Sequence, residues 1–393
     1  MTMRVRAGLM LMAALAMMGL ASCGHYICSE GANFGASTCT GSGGGGTNGN
    51  GIVFAYLLSD VGASDGMAAD TLNLSTNTFQ EATAFVAPPL PAGLVSDGGT
   101  VVVNLPNQKY LYIAFTNGTV YGYAIDGTTG ALTQVPRSPY NAIGGNSIAS
   151  TPAGTFLFVS DSVTGDISAF SISATDGSLT AVGSPFPSGI AVRQMTTDGQ
   201  GKYLYATSGS GSALVAAMAI GATGTLSTIP GTFNFPMSKV LGEHSGNYLL
   251  GISGFDDHIH VFNIDSTGAI AEATSAGSPF ATASTPTNLV VHPNGSFVYT
   301  FDGLSLPMEG YELNASTGAL TVLTNSPFTG VNLNAGQFDQ SGKFLFGVAE
   351  GQVAIDFGPY GADTTTGVIS TPKFGTLGFP GGSFAVSDLN DAP

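Results

Sequence analysis

Positive charge is scarce in this chain: its 393 residues carry nine lysines and arginines against 25 aspartates and glutamates, a formal net charge of −16. Such a surface repels polyphosphate and anionic lipid, which excludes nucleic acid as a partner and leaves no electrostatic route to a membrane. Charge of either sign is sparse, at 9% of residues, so solubility rests on serine, threonine, asparagine and backbone rather than on ion-pair networks. With 57 glycines, this composition is common among secreted β-proteins. Long apolar runs with a 3.6-residue period are missing as well, which excludes a repeat of helical hairpins. Cysteine is limited to Cys23, Cys28 and Cys39, and with only His25 beside them these form no metal site.

Residues 1–22 open with the basic Arg4 and Arg6, continue as the apolar run Leu9–Leu20, and end in Ala21-Ser22 before Cys23. The run is too short for a stable membrane-spanning helix and reads as a secretory signal. Leu20-Ala21-Ser22-Cys23 resembles the lipobox of bacterial lipoproteins, which implies that Cys23 is acylated and becomes the mature N-terminus; ordinary signal cleavage nearby is the alternative. Gly24 is not the aspartate that marks inner-membrane retention in Gram-negative lipoproteins, so the expected address is the outer membrane or cell surface. Cys28 and Cys39 then either close a small disulfide loop or stand as free thiols in a flexible segment. The run GSGGGGTNGNG at 41–51 reads as a flexible linker rather than a phosphate cradle, since no strand precedes it and no helix follows. The expected division is a lipoprotein signal over 1–22, a lipidated cysteine and linker over 23–50, and a folded body over 51–393.

The body repeats. Gly-x-Leu-Thr or a near variant recurs at Gly130, Gly177, Gly224, Gly268, Gly318 and Gly367, at intervals of 44 to 50 residues. Upstream of each lies an aromatic-rich run: Tyr110-Leu111-Tyr112, Phe156-Leu157-Phe158, Tyr203-Leu204-Tyr205, Tyr248-Leu249-Leu250, Phe297-Val298-Tyr299 and Phe344-Leu345-Phe346. Ile52–Leu58 is a degenerate first copy, which makes seven. The clearest copy, residues 147–186, predicts strands over Ser147–Ser150, Phe156–Val159, Ile167–Ile172 and Leu179–Val182, because β-branched and aromatic residues fill these runs and Asp-Ser and Asp-Gly turns separate them. Ser-Pro-Phe or Ser-Pro-Tyr at Ser138, Ser184, Ser278 and Ser326 is expected to end the fourth strand, because proline cannot donate to the ladder. Four-stranded units at this period are propeller blades.

The first copy lacks its leading strand, and the chain's end offers one. Phe384–Ser387 is expected to complete the first blade and join the two ends of the body as a clasp. The fold class is therefore all-β: a seven-bladed β-propeller of four-stranded antiparallel blades, its ring closed by the C-terminal strand.

The full pattern is Pro-x-Gly-x-aromatic-Leu-aromatic-Val, a strand, then Thr-Gly-x-Leu-Thr-x-Val-x-x-Ser-Pro-Phe. It resembles the lactonase-type seven-bladed propellers, a group that includes the propeller-type 6-phosphogluconolactonases and the YVTN surface-repeat proteins. The resemblance extends over about residues 51–390. It implies the fold; activity depends on the site, because propellers serve many functions.

In a propeller the first strand of each blade lines the channel, and ligands usually bind at its mouth. Counting back ten residues from the first aromatic of each copy gives Thr100, Asn146, Arg193, Ser238, Thr287 and Asn334 as mouth positions. All are polar and only Arg193 is charged; its guanidinium offers a fork for a carboxylate, a phosphate or a lactone oxyanion. The resemblance implies Pro-Arg-His at this place. The chain has Val192-Arg193-Gln194, so the arginine matches while Gln194, which cannot act as a base near neutral pH, replaces the histidine. Gln194 and Lys239 complete the candidate mouth. Glu243, Lys239 and Asp198 are the remaining acid–base candidates and form no evident constellation.

Other motifs carry less. His244 and His292 fall at turns leaving the first strand, where turn or inter-blade hydrogen bonds are expected. Asp256-Asp257-His258 with His260 falls in a hairpin where such residues are ordinary, so no metal and no cofactor is expected. Gly62-Ala63-Ser64-Asp65-Gly66 matches the nucleophile pattern Gly-x-Ser-x-Gly but lacks the helix that an elbow needs.

Two functional readings follow. In the first, an exported, membrane-anchored monomer binds a small ligand or a cell-surface protein at the channel mouth without catalysis; the missing histidine and the scarcity of charge favour it. In the second, the chain is a hydrolase of a sugar-acid lactone, favoured by the resemblance with Arg193 in register.

Overall fold

The computed structural model describes residues 52–385 apart from 60–65, 74–77, 82–99, 104–108, 128, 209–213, 232–234, 254–255, 303–305, 340, 351–354, 373–376 and 379–381. Cys23, Cys28, Cys39, the glycine linker and most of the Gly-x-Ser-x-Gly motif lie outside the described residues.

Aromatic and β-branched side chains crowd the second strand of each copy, and those strands are buried on both faces. Tyr110–Ala114, Tyr248–Ile252 and Phe297–Phe301 show no exposed position. Continuous rather than alternating burial marks a strand with a sheet packed on either side. The outer strands carry the opposite signature: in Leu320–Val322 only the leucine is buried. Strands therefore grade from dry to wet, as they do along a blade that runs outward from a central axis.

Seven sheets result, each a four-stranded antiparallel path. Blade 3, for example, runs Ser147–Ser150, Phe156–Ser160, Asp166–Ile172 and Leu179–Ala181 from the inside outward. The inner strands of blades 2 to 7 are Thr100–Val103, Ser147–Ser150, Gln194–Thr197, Lys239–Gly242, Asn288–Val291 and Leu333–Phe338, and each packs beside the next around the axis. Blade 1 takes its inner strand from the other end of the chain: Gly382–Ala385 pairs antiparallel with Ile52–Ser59, with Tyr56 opposite Ala385 and Ser59 opposite Gly382. The clasp read from the sequence is present, two residues earlier than the expected Phe384–Ser387.

One joint recurs between blades. The glycine of each Gly-x-Leu-Thr has a positive φ and lies flat against the first aromatic ring of the preceding blade: Gly130 on Phe54, Gly177 on Tyr110, Gly224 on Phe156, Gly268 on Tyr203, Gly318 on Tyr248 and Gly367 on Phe297. A Cβ at these glycines would come within 2.3 to 2.7 Å of the ring, so no other residue fits. The second aromatic of the run secures the same glycine from below. The hydroxyls of Tyr56, Tyr112, Tyr205 and Tyr299 donate to the carbonyls of Gly130, Gly177, Gly268 and Gly367 at 3.0, 2.7, 2.9 and 2.7 Å. Between these joints the blades share apolar layers, such as Tyr112, Val120, Ile148, Leu157 and Phe170 between blades 2 and 3.

The Ser-Pro motif acts differently from the expectation that proline ends the strand. After Leu132–Gln134 the chain bulges out, and Tyr140–Asn141 resumes pairing with the same third strand; Phe186–Pro187 and Phe280–Ala281 do so in blades 3 and 5. Inside the bulge the serine hydroxyl supplies the acceptor that the ladder lacks. Ser138 Oγ accepts from the Gly122 N–H at 3.0 Å, Ser278 Oγ from Val261 at 2.9 Å and Ser326 Oγ from Gly310 at 3.0 Å.

Because the clasp is the only inner strand of blade 1, deleting residues 381–393 should lower the melting temperature sharply in a thermal-unfolding scan. An unchanged melting temperature would contradict closure through Gly382–Ala385.

Candidate functional site

The heads of the inner strands define one end of the channel. The amides of Asn146, Arg193, Ser238 and Thr287 donate to the carbonyls of Ser160, Thr207, Ile252 and Phe301, so these four residues occupy the same register in successive blades. Thr100 is one step off. It pairs with Ala114 and so aligns with Ser147 and Gln194, because the connection from Val103 to Tyr110 has one more residue than its counterpart in blade 3. Asn334 lies at the head of blade 7 in a bulge of the inner strand.

The side chains at this level divide into engaged and free. Asn146 Oδ1 accepts from the Ser162 N–H at 2.9 Å, fixing the hairpin of its own blade. The hydroxyls of Ser238 and Thr287 donate to Ile252 and Phe301 carbonyls at 3.0 and 2.8 Å. Arg193 is exposed, and among the described residues its guanidinium makes no hydrogen bond or ion pair. It is placed by its neighbours instead: Val192 and Met195 are fully buried on either side of it, and its amide is tied to Thr207.

One residue further along each strand, the polar side chains are buried and sew one blade to the next. Ser147 Oγ accepts from the Met195 N–H at 3.1 Å. Gln194 grips blade 5 at both ends of its amide, donating to the Val240 carbonyl at 2.9 Å and accepting from the Val240 N–H at 3.1 Å. Lys239 Nζ donates to Asn288 Oδ1 of blade 6. Gln194 and Lys239, expected at the mouth, are thus only 5% and 8% exposed and belong to the wall of the channel.

The remaining acid–base candidates are committed elsewhere. Asp198, Glu243 and Asp339 cap the turn between the inner and second strands at the far end: Asp198 Oδ1 accepts from Lys202 and Tyr203 N–H at 2.7 and 2.6 Å, Glu243 Oε1 from Asn247 and Tyr248 at 2.8 and 3.1 Å, and Asp339 Oδ1 from Phe344 at 2.9 Å. His292 holds the same place in blade 6, accepting from Asn294 N–H and donating to the Gly342 carbonyl of blade 7 at 2.9 Å, and its burial lowers its pKa. A stack of turn caps, rather than a catalytic group, accounts for these residues.

A cluster that the sequence did not single out lies at the rim between blades 5 and 6. The connection 282–287 is held by three carboxylates: Glu309 accepts from the Ala283 N–H at 3.1 Å, Asp302 from Ser284 Oγ at 2.7 Å, and Asp257 from Thr285 Oγ1. Burial, with Glu309 and Asp257 adding like charge, raises Asp302 to about 6. Nearby, His260 has both ring nitrogens on carboxylates, Glu272 at 2.8 Å and Asp256 at 3.2 Å, with its ring stacked on Phe262. Among the described residues no group of three His, Cys, Asp or Glu side chains converges on a metal position.

The geometry defines a class: a seven-bladed propeller in which a single unengaged guanidinium stands at the head of an inner strand. The model of the family described as lactonase, seven-bladed β-propeller, matches residues 72–195 and 101–241. Among solved structures, a candidate 6-phosphogluconolactonase from Bacteroides uniformis superposes with a TM-score of 0.64 at 15% identity, covering 84% of this chain and 99% of that one. The periplasmic gluconolactonase PpgL of Pseudomonas aeruginosa superposes with a TM-score of 0.63 at 14% identity, covering 86% and 99%. No curated protein matches the sequence. The chain folds as a seven-bladed β-propeller, and its residues 72–241 match the lactonase family model.

Four carboxylates among the described residues set a pH dependence, Asp198 among them, raised by its burial. Asp70 is raised to about 7 by burial and by Glu81 across the strand, and burial raises Asp302 and Asp339 to about 6. Each holds its proton more tightly folded than unfolded, so its contribution is complete below the ordinary carboxylate range and is lost as pH rises, through 6 to 7 for Asp70, Asp302 and Asp339. His292, with its lowered pKa, opposes them, but as one group against four. Below about pH 4 the hydrogen-bonded Asp176, Asp265 and Asp363, whose values are lowered, lose their contribution in turn. The melting temperature should therefore be higher at pH 5 than at pH 8, and Asp70→Asn should flatten the slope; a melting temperature that rises toward pH 8 would contradict this assignment.

Proposed function

We propose that this chain opens a neutral sugar-acid lactone at the head of the channel, with Arg193 as the fork on the lactone carbonyl and on the carboxylate it becomes. The observation that carries the reading is that the Arg193 guanidinium alone is charged, exposed and unengaged among the residues of its register. Attack of water on the carbonyl carbon, with the water's proton passing to solvent, places a negative charge on the carbonyl oxygen. Two parallel N–H groups of a guanidinium match that oxyanion, and they are worth more there than to the neutral ester. Collapse breaks the ring carbon–oxygen bond, the ring oxygen takes a proton to become a hydroxyl, and the product carboxylate stays on the same fork. The carboxylates Asp257, Asp302 and Glu309, at the rim between blades 5 and 6, favour a neutral lactone over a phosphorylated one. The resemblance to lactonase-type propellers supports this reaction class over binding alone.

Binding without turnover is the second reading, and Gln194 favours it: it stands where the family pattern has histidine, and its amide is fixed on Val240. In either case we propose an exported protein tethered through lipid on Cys23, with the glycine-rich 41–51 segment as spacer, at the outer membrane or cell surface.

Turnover of a panel of unphosphorylated aldonolactones, with and without Arg193→Ala, tests the proposal. Removal of the guanidinium should lower kcat/KM by roughly 100- to 1,000-fold, and Arg193→Lys should restore only part of it. Binding of the lactones or their acids without hydrolysis would replace the first reading by the second. Full activity in Arg193→Ala would overturn both.

A further inference from the structure

The inner strand of blade 7 departs from the others. In blades 2 to 6 the inner strand pairs with the second strand in unbroken register. In blade 7 Leu333 pairs with Ala349 and Ala335 with Val348, so Asn334 is an extra residue opposite no partner. A bulge of this kind turns a side chain out of the alternation and aims it elsewhere. Asn334 is half-buried, its amide makes no hydrogen bond among the described residues, and it sits at the strand head beside Leu333, which holds the register of Arg193. Of the mouth residues whose side chains are described, Arg193 and Asn334 are the two left unengaged. Blades 4 and 7 stand three apart in a ring of seven, so their strand heads lie on opposite sides of the mouth.

We infer that Asn334 is the specificity contact of the site, taking the ring hydroxyls of a polyhydroxylated lactone while Arg193 holds its carbonyl end. A primary amide both donates and accepts, which suits hydroxyl groups that do the same and carry no charge. A residue reserved for shape alone would not need a bulge that displaces it from the ladder. The inference rests on the lactonase reading and adds to it the kind of lactone preferred.

Two probes separate the two claims. D-glucono-1,5-lactone carries ring hydroxyls and δ-valerolactone has none. In the wild-type protein, Asn334→Ala should raise KM for gluconolactone by about three- to tenfold, the loss of one or two neutral hydrogen bonds. Its kcat should hold, and its kinetics on δ-valerolactone should not change; Arg193→Ala should fail on both lactones. An equal loss on both lactones in Asn334→Ala, or no loss on either, overturns the inference and leaves the lactonase reading standing. If the wild-type protein opens neither lactone, the lactonase reading fails. Calorimetric titration with D-gluconate and 5-hydroxypentanoate then decides the role of Asn334: a three- to tenfold weakening confined to gluconate supports it, and equal affinities in variant and wild type overturn it.

Discussion

A glycine lying flat on an aromatic ring of the preceding blade is the contact on which this propeller depends. The joint occurs six times, from Gly130 on Phe54 to Gly367 on Phe297, and it sets the distance and angle between neighbouring sheets. Flat sheets would splay if side chains alone met side chains. Removing the Cβ lets backbone approach ring, and the tyrosine hydroxyl on the glycine carbonyl then fixes the approach in direction as well as distance. Phe158 and Leu250 occupy the tyrosine's place in blades 3 and 5, where packing alone makes the joint. A chain with few charged residues has little else to orient its blades, so the burden falls on repeated shape.

The same economy explains the channel. With few ionisable groups available, four of the buried ones serve as turn caps: Asp198, Glu243, His292 and Asp339 accept the backbone N–H groups that a tight turn leaves unpaired inside the ring. Neutral and cationic side chains of the next layer, Ser147, Gln194 and Lys239, stitch inner strand to inner strand. What is left unengaged at the other end is Arg193 with Asn334. Function in this fold is thus found by subtraction, once the residues that close the ring have been accounted for.

The architecture was legible in the sequence because the joint has a sequence form. Gly-x-Leu-Thr and the aromatic pair recur at nearly constant spacing, and a missing first strand at one end with a spare strand at the other announced the clasp. The strand heads were legible too, except where a loop differs by one residue, as before Tyr110, and counting placed Thr100 a step too deep. Sequence reasoning misassigned Gln194 and Lys239, since polar residues on an inner strand look alike whether they meet the channel or the neighbouring blade. It also took Ser-Pro for a strand end, because the serine's service as a ladder acceptor is a three-dimensional substitution. The carboxylates around residues 282–287 come from two hairpins, Asp257 from blade 5 and Asp302 with Glu309 from blade 6, and no local pattern joins them.

Whether Arg193 is the functional group of the channel is tested most directly by a crystal structure of the protein with D-gluconate. The account predicts the carboxylate in contact with the Arg193 guanidinium and the hydroxyls toward blade 7. Gluconate bound at the opposite end of the channel, among the turns capped by Asp198 and Glu243, would contradict it.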